Sequence, residues 1–102
     1  MNIVRGTTPT IRYKFTIVDV TDIEVAYMTI EQDGKTITEQ DLSQAEVGEN
    51  WLEWQLSQTE TLKINENLRV QIQCRYRTSD GNAYASPLSD VMPYEILKEG
   101  VI

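Results

Sequence analysis

The sequence predicts an all-β, antiparallel sandwich folded as a single domain over residues 1–102. Two observations carry that reading. One stretch, Asn67–Thr78, alternates without a break: Leu68, Val70, Ile72, Cys74 and Tyr76 on one parity, Arg69, Gln71, Gln73, Arg75 and Arg77 on the other. Successive strand side chains point to opposite faces, so this reads as a central strand with an apolar inner face and a polar outer one. Further alternating runs flank it, separated by the Gly-bearing turn signals Asp33-Gly34 and Asp80-Gly81.

The elements follow in order. Asn2–Val4 is a short extended lead-in, closed by Arg5 through Pro9. Thr10–Val18 alternates, with Ile11, Tyr13, Phe15 and Ile17 expected inward. Asp19–Asp22 is a polar turn. Glu24–Gln32 places Ala26, Met28 and Ile30 inward and Val25, Tyr27 and Thr29 on the opposite face. Asp33-Gly34 joins it as a hairpin to Lys35–Asp41, whose short, charged character suits a sheet edge guarded against stray pairing. Leu42–Asn50 reads as acidic and irregular. Trp51–Leu56 resumes the strand period, with Leu52, Trp54 and Leu56 inward and Trp51 outward.

Ser57-x-x-Glu60 is a capping box, predicting a short helical turn over Gln58–Lys63 with Leu62 and Ile64 closing an end of the core. After the central strand, Ser79–Asn82 turns the chain into a last strand that Pro87 confines to an edge or splits. Val91–Leu97 is expected to switch sheets or close the sandwich, and Lys98–Ile102 ends apolar. About seven short strands at regular spacing, with one helical turn, describe an immunoglobulin-like sandwich; a small barrel is the other closure.

Composition bounds the chemistry. Sixteen acids against nine bases give a net charge of −7, which argues against a general nucleic-acid or anionic-membrane binder. There is no histidine, which removes the commonest general base and metal ligand. No phosphate-binding Gly-rich loop is present, and no apolar run reaches the length of a membrane helix. The one cysteine, Cys74, falls on the core parity of the central strand and reads as a small buried hydrophobe. Asp19, Asp22 and Glu24 read as a solvated turn, and Asp80-Gly81-Asn82 lacks the other ligands of a calcium loop. The expectation is no enzyme, no catalytic residue, no cofactor and no metal. With no leader pattern in Met1–Pro9, synthesis and folding are expected in a cytoplasm.

Candidate interface residues are Arg69, Gln71, Gln73, Arg75 and Arg77 on the outer parity of the central strand, with Trp51 and Tyr27. The arginine row reads either as a solvated face cross-paired with acids such as Glu53 or Glu31, or as a polar docking face. Trp51 and Tyr27 are interface anchors or a sugar platform if outward, and core if the register slips by one.

Several stretches resemble small phage and prophage proteins of Gram-positive gut bacteria. They are Arg5-Gly6-Thr7-Thr8-Pro9-Thr10, Gln32-Asp33-Gly34-Lys35, Leu56 with Thr59-Glu60-Thr61-Leu62, Val70-Gln71-Ile72-Gln73, Asp80-Gly81 before Ala83, and Ile96-Leu97-Lys98-Glu99-Gly100. More loosely, the pattern is similar to the immunoglobulin-like N-terminal module of siphophage baseplate upper proteins. That module continues into a stalk and a receptor-binding part; here the chain ends at Ile102, and the expectation is a stand-alone sandwich. The resemblance implies a virion structural or accessory module of tail, baseplate or head, assembled in the host bacterial cytoplasm. Its partners would be other virion proteins and copies of itself, with no nucleic acid and no membrane. A carbohydrate- or receptor-binding module is the alternative.

Overall fold

A computed structural model describes residues 3–94 and 100–102. Its strands are β1 (Thr10–Lys14), β2 (Ile23–Gln32), β3 (Lys35–Asp41), β4 (Glu46–Gly48), β5 (Trp51–Gln55), β6 (Val70–Thr78), β7 (Ala83–Ala85) and β8 (Ser89–Val91), with one helix, α1 (Gln58–Leu62). They form two antiparallel sheets, β1-β5-β4 and β3-β2-β6-β7, and β8 pairs with β6 beyond β7. Asp33 and Gly34 both take positive φ (52° and 75°), as the tight β2–β3 hairpin requires.

The core lies between the sheets. Ile11, Ala26, Met28, Ile30, Leu52, Trp54, Val70, Ile72 and Cys74 are all fully buried, so the alternation in β2, β5 and β6 points inward as expected. At roughly 1.5–3 kcal/mol for each large apolar side chain removed from water, this layer is the main stabilising term. Ser57 caps α1, its hydroxyl accepting from the Glu60 N–H while the Glu60 carboxylate accepts from the Ser57 N–H.

The chain departs from the sequence reading in four places. β1 ends at Lys14, and Ile17 is 75 % exposed; the chain leaves the sheet after Phe15, and Val20, on a 3-10 turn capped by Asp19, enters the core instead. β6 starts at Val70, leaving Leu68 39 % exposed. The Leu42–Asn50 stretch is ordered, with a 3-10 turn at Leu42–Gln44 and the short strand β4, and its polarity reflects an edge position rather than irregularity. On α1 the fully buried residue is Thr61, whose hydroxyl donates to the Thr7 carbonyl, while Leu62 is half-buried. Pro87 does split the last strand, into β7 and β8. The expected run through Leu97 lies outside the described residues beyond Tyr94, as do Asn2, Lys98 and Glu99.

Two buried amides tie the layers together. Gln32 Nε2 donates to the carbonyls of Asn65 (2.6 Å) and Leu68 (2.9 Å), and its Oε1 accepts from the Asn65 N–H (2.7 Å). Gln40 Nε2 donates to the Gln55 carbonyl in the opposite sheet and to the Glu60 carboxylate, which also accepts from Thr38.

Candidate functional site

The antiparallel register of β2 and β6 sets Tyr27 opposite Arg75, Val25 opposite Arg77, Thr29 opposite Gln73 and Glu31 opposite Gln71. These side chains share the outer face of the larger sheet, because the alternate residues fill the core. Tyr27 is 39 % exposed, and the Arg75 guanidinium lies 5.6 Å from its ring centroid. Beside it, Ala83 and Ala85 on β7 leave an open apolar hollow of about 450 Å³, floored by Val25, Tyr27 and the two alanines and rimmed by Arg75 and Arg77. A second, polar hollow of about 290 Å³ lies along the same face, lined by Thr29, Glu31, Glu39, Gln71, Gln73 and Arg75 among others.

Arg75 and Arg77 are cross-paired, with different acids from those expected. Arg75 meets Glu39 at 2.8 Å and Arg77 meets Glu24 at 3.8 Å; Glu39 Oε1 also accepts from the Thr29 hydroxyl. The difference is one of register: β3 lies on the far side of β2 and brings Glu39 level with Thr29, within an arginine's reach of Arg75. Glu53 belongs to the other sheet and pairs with Arg12 at 2.8 Å. Gln73 donates to the Ser86 carbonyl at 2.9 Å and so fixes the β7–β8 junction. Arg69, which precedes β6, lines a further hollow with Asp33, Leu68 and Asp90, which Gln71 borders together with the polar one. At about 3.3 Å per residue, Arg69 stands roughly 26 Å from Arg77. The row is therefore two ends of a protein-sized surface.

Trp51 does not belong to that surface. It lies on the outer face of the smaller sheet, half-buried, directly across from Gly48. A Cβ at position 48 would stand 1.9 Å from Cε2 of the indole, so the ring rests on glycine backbone, and the Arg12 guanidinium covers it at 3.9 Å. Aromatic cover of a cross-strand glycine is a device for filling the gap that a missing side chain leaves. Contacts to the Gly48 backbone and to Arg12 leave the indole half-buried rather than standing clear of the sheet. Sequence reasoning missed Ala83 and Ala85, whose smallness opens the hollow; a small-aromatic-small strand beside a long arginine-bearing one was the available signal.

Burial pushes the Cys74 thiol up to about 12, and burial also raises the Tyr13 hydroxyl, which lies beside Ser86 and Ser89. For Glu60 burial works upward, but hydrogen bonds from Thr38, the Ser57 N–H and Gln40 outweigh it and hold the carboxyl below its usual range. Asp19 and Asp80 are lowered by bonds within their own turns, from Thr21 in one and from Thr78 and Asn82 in the other. Among the described residues no three acidic or cysteine side chains converge in a way that could hold a metal ion, and no helix is long and apolar enough to cross a membrane.

No family model matches the chain, and no curated protein matches it. Among solved structures it is similar to the immunoglobulin-like domain of mouse leukocyte-associated immunoglobulin-like receptor 1, a domain crystallised as a strand-swapped dimer. That match covers 92 % of this chain and 86 % of the other, with a TM-score of 0.51 and 17 % identity. Likeness at that identity concerns the fold alone: the chain is an immunoglobulin-like antiparallel β-sandwich.

Proposed function

We propose that this chain is a non-enzymatic phage virion module, structural or accessory, that works by protein–protein contact through the outer face of its larger sheet. The observation that supports contact is the exposed Tyr27 in an open apolar hollow flanked by Arg75 and Arg77. Tyrosine and arginine around a dehydratable floor are the residues that interface cores favour. The virion assignment, with assembly in a bacterial cytoplasm, is supported by the sequence resemblance, which runs from Arg5 to Gly100. A binding role agrees with the scattered, turn-internal placement of the lowered carboxylates, none of which faces the hollow.

The test is direct. Particles released from a host carrying the encoding prophage are purified and probed for the chain by mass spectrometry, and the captured partner is titrated against wild type, Tyr27→Ala and Arg75→Glu. The expected result is presence in particles and a loss of about 2 kcal/mol of binding, some thirtyfold, in each variant. Absence from particles, or variants that bind as wild type, would overturn the reading.

A further inference from the structure

Edge strands expose unpaired backbone groups, and folded proteins guard them with charge, proline or bulges. Three of the edges here are guarded in that way. β3 carries Lys35, Glu39 and Asp41 and a register shift against β2; β1 carries Arg12 and Lys14 behind Pro9; β4 begins at Glu46 and runs into Glu49. β8 carries Asp90. β7 reads Ala83-Tyr84-Ala85, with no charge, proline or bulge within it, and Pro87 breaks the edge only beyond Ser86.

The ladder fixes which of its groups are free. The Thr78 N–H donates to the Asn82 carbonyl and the Ser86 N–H to the Cys74 carbonyl, with Tyr76 opposite Tyr84. Bonded positions alternate along an antiparallel strand, so residues 82, 84 and 86 spend their groups on β6. Ala83 and Ala85 therefore turn N–H and C=O outward, and among the described residues no strand pairs with that edge.

We propose that two copies of this chain pair antiparallel along β7, about a twofold axis at Tyr84, joining their larger sheets into one. The proposal rests on the contact reading above and names a second copy as partner. The sequence of the edge is a palindrome, so an isologous pairing sets Ala83 against Ala85 of the partner subunit twice over and closes four backbone hydrogen bonds. Tyr84, already stacked on Tyr76 with centroids 5.2 Å apart and 16° between planes, meets Tyr84 of the partner subunit in the close, non-bonded type of pair. The apolar floor of Val25, Tyr27, Ala83 and Ala85 runs on into the partner's copy of it.

Charge selects the second copy over an acidic strand from elsewhere. Arg75 and Arg77 are already met by Glu39 and Glu24, so a foreign carboxylate gains little there, whereas a neutral edge fits a neutral edge. Each cross-sheet row reads arginine, alanine, alanine, arginine, which keeps the like charges about 14 Å apart, beyond the screening length of physiological salt. Nothing acidic opposes anything acidic, in a chain whose net charge of −7 would otherwise resist association.

Sedimentation equilibrium over a micromolar-to-millimolar concentration series tests this on the whole chain. Wild type is expected to approach twice the monomer mass, and Ala85→Pro, which deletes an outward N–H, to weaken the dimer about tenfold or more. In a Cys74→Ala background, Tyr84→Cys is expected to form an intermolecular disulfide on mild oxidation, since close non-bonded pairs lie within disulfide reach. Thr38→Cys on β3 is expected not to. A monomer at every concentration, a dimer indifferent to Ala85→Pro, or equal cross-linking at positions 38 and 84 would overturn the pairing. A monomer still found in particles would do so while leaving the contact reading intact.

Discussion

Gln32 is a buried polar side chain that bonds only to backbone distant in sequence. It ends β2 5 % exposed, and its amide satisfies three backbone groups of the 65–68 corner that delivers the chain into β6. Gln32→Ala removes all three bonds. At a net worth of about 1 kcal/mol each, and with the exposed corner letting water replace part of the loss, the cost is roughly 2–3 kcal/mol. For a domain of this size that is a fall in Tm of about 8–24 °C. Urea melts at neutral pH, followed by circular dichroism, give the number, with an unchanged slope showing that the same surface unfolds. Gln32→Glu sharpens the test. Its carboxylate can still accept from the Asn65 N–H, but at neutral pH its other oxygen faces two carbonyls with nothing to donate. It should be at least as damaging as alanine at neutral pH and regain stability in mild acid, where the protonated carboxyl supplies a donor. A loss under about 1 kcal/mol in Gln32→Ala, or a Gln32→Glu chain as stable as wild type at neutral pH, would refute the clamp.

Three further outcomes follow from the packing and the pKa shifts. Glu60 has a folded pKa below its ordinary value of 4.5, so the unfolded chain binds more protons in acid. Its contribution is full above that unfolded value and drains as pH falls through the folded one; a Tm-against-pH series should show an acid limb that Glu60→Gln flattens. Ile72→Ala should cost about 2–5 kcal/mol by cavity formation, whereas Ile17→Ser, on a side chain left in water, should stay within about 0.5 kcal/mol in denaturant melts. Gly48→Ala should evict the Trp51 indole from its seat, shifting tryptophan emission to the red and costing about 1–3 kcal/mol; an unaltered spectrum would contradict the seating.

What the sequence made legible was whatever a period of two can carry. β2, β5 and β6 alternate, and Ala26, Met28, Ile30, Leu52, Trp54, Val70, Ile72 and Cys74 are buried as the parity requires. The Asp33-Gly34 and Asp80-Gly81 turns and the Ser57–Glu60 box are local codes, readable because their partners are within four residues. Ile17 misled because alternation persists past the point where β1 stops pairing; the Phe15 N–H bond to the Asn50 carbonyl is the last rung in register, and Asn50, with a φ of 66°, turns the partner chain away at a place distant in sequence. The burial of Gln32, Gln40 and Thr61 was hidden for the same reason. A polar side chain becomes a core residue only when distant backbone supplies its partners, and nothing local announces that. The candidate face was readable as a row, but not its division: the pairing of Arg75 with Glu39 depends on which strand flanks β2, which periodicity leaves open.

The strand order makes these buried amides more than incidental. β1-β5-β4 facing β3-β2-β6-β7 is the order of the B-E-D and C′-C-F-G sheets of an immunoglobulin domain, with α1 at the E–F corner. Antibody-type domains anchor that frame with a B–F disulfide and with a tyrosine two residues before its second cysteine, whose hydroxyl bonds back to the E–F corner. Here Cys74 stands on the F-type strand with Tyr13 of the B-type strand near it, and Tyr13 packs edge-to-face on Trp54 at 6.4 Å. The tyrosine-corner position is Ile72, fully buried, and the corner is held by Gln32 from the C-type strand instead. The frame thus lacks both of those anchors, and the bonds that hold its corner need no oxidation. At the bridge position stands one buried thiol, and the corner bonds come from an amide on the C-type strand rather than a phenol on the F-type strand. The F-type strand runs unbroken from Val70 to Thr78 and registers Arg75 and Arg77 against β7, so the Gln32 clamp at one end of the sheet and the Ala83–Ala85 edge at the other are joined by one strand.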